Sequence, residues 1–225
     1  MVSRFDPELV PESPDLSLEI QLWQNQIRNV AGIDEAGRGA LAGPVATAAL
    51  ILPSDPAILE KLDGVRDSKQ LTPGQREYWA VRIKSEALAW GVGFASNLEI
   101  DRLGIGNATR LAGLRALDSI QARVEYLLLD YLFIPESPLP QTSLIKGDSR
   151  SLSIAGASVL AKTARDALMC DLDKRNPGYG FALHKGYCTR AHLEAIHMLG
   201  ASPFHRLSFA PFRLIEESAF QLIVE

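Results

Sequence analysis

The stretch Val124 to Asp130 (VEYLLLD) constrains the fold more than any other part of the chain. Its unbroken apolar centre shows no polar alternation, so it reads as a strand buried on both faces, and such a strand needs helices packed above and below its sheet. Asn29 to Asp34 reads as a short strand and Pro44 to Leu52 (PVATAALIL) as another, with the glycine-rich AGRGALAG between them. Trp90 to Ser96 (WGVGFAS) reads as a third, weakened by its two glycines, and Thr142 to Ile145 as a further short one.

Helices alternate with these strands. Thr72-Pro73-Gly74-Gln75 supplies an N-cap, a proline at the first helical position and a capping-box partner, ahead of an amphipathic stretch to about Ala89. Helical spacing of apolar residues follows from Asn107 to Arg123, from Leu152 to about Lys174, from Arg190 to Leu199 and from Phe212 to Val224. Strands interrupted by helices predict an α/β sandwich with a mixed central sheet flanked by helices.

The chain has 225 residues, 47% hydrophobic and 22% charged, and no interior linker separates two cores, so a single globular domain is expected. Met1 to Ser17 carries Asp6, Glu8, Glu12, Asp15 and three prolines, without the basic start and apolar run of a secretory signal. Residues 1–20 therefore read as a flexible leader and 21–225 as the domain. No apolar run approaches the roughly 20 residues that span a bilayer, so a cytoplasmic protein without a membrane partner is expected. Cys170 and Cys188 have no ligand spacing and read as spectators. The net charge of −4 argues against a general coating of nucleic acid, yet the part from Gln141 onward is slightly basic and is the better candidate for meeting phosphates.

Four acids stand where extended segments give way to loops: Asp34, Glu35, Asp130 and Asp148. Carboxylates gathered at strand ends repel one another in a poorly hydrated site unless a cation joins them, and an all-oxygen set without His/Cys pairs selects Mg²⁺ or Mn²⁺ over zinc. Taken singly, each could equally be a surface acid capping a loop. Asp34 and Glu35 are neighbours, and neighbours on a strand point to opposite faces, so the strand must end or twist there, or Glu35 must contribute its backbone carbonyl. Gly37-Arg38-Gly39 could grip a nucleotide backbone, with Arg38 pairing a phosphate. The same loop, with Ala42, matches the dinucleotide-binding pattern, but that motif must open a helix and here Pro44 and a β-branched run follow. His192 and His197 share one helix at a spacing poorly suited to zinc.

Read together, Gly32-Ile33-Asp34-Glu35-Ala36-Gly37-Arg38-Gly39, Asp67-Ser68-Lys69, Leu129-Asp130, Lys146-Gly147-Asp148-Ser149, Ile154 to Asp166 (IAGASVLAKTARD) and His184-Lys185-Gly186-Tyr187 resemble, in order, the signatures of the bacterial type 2 ribonucleases H, the ribonuclease HII family. The chain departs from that pattern at Tyr131, where glycine is usual, at Gly156, where alanine is usual, and at Thr163-Ala164. The resemblance implies a ribonuclease H-like fold with a C-terminal helical extension. It implies a monomeric endonuclease that hydrolyses the RNA strand of RNA/DNA hybrids and incises 5′ of single ribonucleotides in duplex DNA, leaving 5′-phosphate and 3′-hydroxyl ends.

On the same ground Asp34, Glu35, Asp130 and Asp148 would hold two divalent ions, Mn²⁺ or Mg²⁺, and Tyr187 would stack on the sugar following the ribonucleotide. Backbone groups of Gly37, Arg38 and Gly39 suit contact with a 2′-hydroxyl. Lys146, Lys162, Arg165 and Lys185 are candidate phosphate contacts, or an ordinary solvated face. An inactive nucleic-acid binding module of the same fold is the alternative.

Overall fold

The computed structural model describes residues 10–212. In chain order the elements are α1 (Ser17–Gln24), β1 (Val30–Ala36), β2 (Val45–Ile51), α2 (Ile58–Lys61), α3 (Pro73–Glu86), β3 (Ala89–Ala95), α4 (Asn97–Leu103), α5 (Ile105–Asp118), β4 (Tyr126–Asp130), β5 (Gln141–Leu144), α6 (Leu152–Arg175), α7 (Phe181–His184) and α8 (Arg190–Leu199). Short 3₁₀ turns lie at Ser68–Gln70 and Gly147–Ser149. The helix expected over Phe212 to Val224 lies, beyond Phe212, outside the described residues.

The strands form one sheet in the order β3-β2-β1-β4-β5. β2 runs antiparallel to both β1 and β3, while β4 pairs parallel with both β1 and β5. The mixed α/β sandwich is thus the architecture. β4 is buried on both faces: Leu128 meets the layer containing α6, and Leu127 and Leu129 meet the opposite layer with Ala116 of α5.

Glycines bring both helices unusually close to the sheet. The two glycines of β3 lie where α5 crosses it: a Cβ at Gly93 would come within 2.1 Å of the Ala112 carbonyl oxygen, and one at Gly91 within 2.3 Å of that of Ala116. A Cβ at Gly32 of β1 would meet the Ser153 backbone at 2.3 Å, so α6 packs directly on β1. At the departure Gly156 a Cβ would lie 2.4 Å from the end of the Leu50 side chain of β2.

Two expectations need correction. The helix expected over Asn107 to Arg123 spans Ile105–Asp118, and α4 precedes it, opened by a capping box between Ser96 and Glu99. The described part of the expected leader is docked. Leu16 and Trp23 join the core, the Asp15 carbonyl accepts from the Leu152 N–H at 2.8 Å, and buried Glu19 accepts from the Ser151 and Ser153 hydroxyls at 2.5 and 2.6 Å. Composition alone concealed this, because Glu19 satisfies serines that are distant in sequence.

Candidate active site

Parallel strands decide where the acids go. β1, β4 and β5 run in one direction, so their C-terminal ends share one edge of the sheet, the edge at which open α/β sheets place their ligand sites. Asp34 lies near the end of β1, Asp130 closes β4, and Asp148 sits in the 3₁₀ turn after β5. One carboxylate oxygen from each of these three lies within 4.8 Å of the others.

Their charges are poorly offset by the protein. Burial, followed by Glu35 and Asp130, pushes the Asp34 carboxyl well above its ordinary range despite the nearby Ser158 hydroxyl of α6 and the Glu35 N–H, which donates to its Oδ1 at 2.6 Å. Burial and Asp148 push Asp130 up to about 6, against the Gly147 N–H donating to its Oδ1 at 2.7 Å. Burial and Asp67 raise Asp148 likewise. Lys69, which sequence reasoning did not place over the cluster, has its ammonium 3.8 Å from both Asp67 and Asp148. Burial disfavours its charge, but Asp67, Asp34, Asp148 and Asp130 outweigh that and raise its pKa. Arg76 steadies this loop by donating to the Ser68 and Leu71 carbonyls.

Glu35 stands outside the three-carboxylate cluster, as strand alternation requires. β1 runs on through Ala36, with Asp34 opposite Ala48 and Glu35 opposite Thr47. Its Oε1 accepts from Arg38 at 3.1 Å, whereas its buried Oε2 has no hydrogen-bond partner. Burial raises its carboxyl in spite of Arg38 and Lys69.

The glycine turn leads into β2 and not into a helix, so the dinucleotide pattern lacks the helix N-terminus it needs. Gly37 has φ +91°, a conformation that side chains resist, and a Cβ on it would strike the Arg165 guanidinium. Arg165 corrects an expectation, because it is fully buried and cannot face a phosphate. It donates to the Pro44, Ala42 and Lys185 carbonyls at 2.8, 3.1 and 3.0 Å. Arg206, also fully buried and absent from the sequence reading, donates to the Gly43, Arg38 and Gly37 carbonyls at 2.9, 2.8 and 2.8 Å.

The remaining expected contacts are placed as follows. Gly39 and Lys146 are exposed, Arg38 is half-buried, and Lys146 has φ +55° at the head of the turn that carries Asp148. Half-buried Tyr187 lies with Lys162 and Lys185 along a groove of about 650 Å³ between α3, α6 and α7, whose lining includes none of the four acids. Lys162 pairs with Asp166 at 2.6 Å, and the Lys185 ammonium donates to the Ala182 carbonyl. Tyr131 takes φ +50° with its side chain in solvent, which shows why glycine suits this position and why tyrosine leaves Asp130 uncrowded. Among the described residues both cysteines are free and no helix is long and apolar enough to cross a membrane.

A family model described as Ribonuclease HII matches residues 31–212. The chain belongs to the ribonuclease HII family. Ribonuclease HII from Synechococcus sp. (strain JA-3-3Ab) is 54% identical over 198 residues, covering 87% of this chain and 88% of that one. The crystal structure of ribonuclease H2 from Pyrococcus horikoshii OT3 superposes with a TM-score of 0.69 at 26% identity, over 84% of this chain and 98% of that one. Bst-RNase HIII in complex with Mn²⁺ shares the fold, with a TM-score of 0.62 at 21% identity, over 87% of this chain and 71% of the other. The protein is accordingly an RNase H enzyme, a hydrolase and nuclease, with an acidic cluster fitted for metal binding and the ribonuclease H-like fold.

Proposed function

We propose that this RNase H hydrolyses the RNA strand of RNA/DNA hybrids and also incises 5′ of single ribonucleotides embedded in duplex DNA, acting as a monomer with Mn²⁺ or Mg²⁺. The convergence of Asp34, Asp130 and Asp148 oxygens within 4.8 Å carries this reading, because three carboxylates so close, two of them buried and the third half-buried, are unfavourable without a cation. Their all-oxygen donor set, together with the unpartnered Glu35 Oε2, fits hard divalent ions. Asp34, Glu35, Asp130 and Asp148 would hold two such ions, which when bound supply an activated water and charge to stabilise the leaving 3′-oxygen, giving 5′-phosphate and 3′-hydroxyl ends.

The chain's own residues do the positioning. The Gly147 N–H aims Asp130, and the Glu35 N–H donates to Asp34 Oδ1 at 2.6 Å. Arg206 fixes the Gly37 and Arg38 carbonyls, so the backbone of residues 37–39 offers set groups to a 2′-hydroxyl. Arg38 and Lys146 would pair backbone phosphates, and Tyr187 would stack on the following deoxyribose, where a hydroxyl would crowd its ring.

The test is cleavage of duplex DNA bearing one ribonucleotide, with Mn²⁺ or Mg²⁺ and end analysis. A nick on the 5′ side that is lost in Asp34→Asn and Asp130→Asn is the expected result. Unchanged rates in both variants would refute the site, and binding without any cleavage would identify an inactive module.

A further inference from the structure

The segment Ser202–Arg206 joins the two loops that the proposed function uses to read the sugar. It pairs with the chain beyond the glycine turn: Ala42 bridges His205, the Gly43 N–H donates to the Phe204 carbonyl at 2.9 Å, and the Arg206 N–H donates to the Leu41 carbonyl at 2.8 Å. From this fixed backbone two buried side chains reach in different directions. Arg206 grips the Gly37 and Arg38 carbonyls. His205 begins a chain of imidazoles that ends on Tyr187.

The polarity of that chain is determined by its ends. The Ser202 N–H donates to His205 Nδ1 at 2.8 Å, so the ring proton of neutral His205 is on Nε2. It faces His192 Nε2 at 3.0 Å, which must accept, leaving the His192 proton on Nδ1 to donate to the Tyr187 carbonyl at 2.9 Å. The His184 ring stacks on His192 with centroids 4.2 Å apart and fixes its plane. The facing nitrogens of His192 and His205 are used on each other and so are not free to hold a metal.

We infer that His205 and Arg206, with His192 as relay, are positioning residues that lock the ribose-reading turn 37–39 and the Tyr187 loop into one rigid body, and so set the preference for a ribonucleotide followed by DNA. Neither residue touches substrate. Arg165 reinforces the lock by joining the Ala42 and Pro44 carbonyls to that of Lys185. The inference rests on the reading of residues 37–39 and Tyr187 given above.

The experiment compares kcat/KM on a single embedded ribonucleotide with kcat/KM on a continuous RNA/DNA hybrid, using the full chain with Mn²⁺. His192→Asn places an amide N–H where Nδ1 donates but does not reach His205, whereas His192→Gln reaches His205 but not the Tyr187 carbonyl. Each variant cuts the relay at one end, so both should lower the ratio of single-site to hybrid cleavage, His192→Gln about tenfold, the effect of one lost buried hydrogen bond. Arg206→Lys, which retains the charge but not the fork, should lower the same ratio. A variant that merely destabilises the fold depresses both substrates together and leaves the ratio alone, and that outcome overturns the inference, as does a wild-type ratio in His192→Asn. Tyr187→Ala separates the two readings: if it leaves the ratio unchanged, the role of Tyr187 itself is refuted, whereas a changed ratio in Tyr187→Ala with none in His192→Gln and Arg206→Lys refutes only the lock.

Discussion

Two regions of buried charge lie close to the glycine turn and are built on opposite terms. On one side Asp34, Asp130 and Asp148 crowd together with few donors, and Glu35 keeps an oxygen with no partner. On the other, Arg165 and Arg206 are more deeply buried, yet each guanidinium meets three backbone carbonyls. A buried charge that is fully bonded acts as scaffold, while one left short of partners is poised to take a ligand.

Neutralising one carboxylate should give the largest effect and the sharpest form of this contrast. Asp34→Asn is expected to cut activity by at least about 100-fold, as for other losses of fixed charge at a reacting centre, yet to raise the melting temperature of the metal-free protein. Calorimetry in a chelator checks the second half, and a fall in melting temperature would mean that the acids are not in conflict. Removing an arginine should do the reverse. Arg165→Ala removes the donor from three backbone carbonyls, two of them in buried bonds, and should cost on the order of 3 kcal/mol in urea unfolding, with no gain from chelation.

The two regions also titrate in opposite senses. In the metal-free protein Asp130 stays protonated up to about 6 against an ordinary 3.8, so its contribution to stability is present below pH 3.8 and is lost as pH rises toward 6. Burial and His192 hold His205 down to about 4 against an ordinary 6.5, so the unfolded chain takes up a proton in that window that the folded chain refuses. Its contribution is full above pH 6.5 and falls as pH drops toward 4. The stability of metal-free Asp130→Asn should therefore match wild type near pH 4 and exceed it above pH 6, whereas His205→Gln should flatten the acid side. The smallest expected effect is local: Tyr131→Gly relieves a left-handed φ of +50° and should stabilise by about 1 kcal/mol, read as a shift in urea midpoint.

The acidic half was legible in the sequence because each acid ends an apolar segment, and parallel pairing then brings those ends together. The cationic half was not. Arginine reads as a surface residue, and Arg206 lies in a loop with no periodicity to place it. For Arg165 a signal existed: Ala157, Ala161, Arg165 and Met169 recur at helical spacing, which puts the arginine on the buried face of α6. Capping chemistry at Ser96 and Glu99 likewise announced α4. Lys69 needed the structure, since only the turn at Ser68–Gln70 carries it over acids distant in sequence.

Glu19 has a practical meaning for where this enzyme can be cut. The family match begins at residue 31, so a clone trimmed to it would discard the carboxylate that seats the first turn of α6. That helix bears Ser158 beneath Asp34, and shortening the front of the gene would thus reach the nuclease centre through its longest beam.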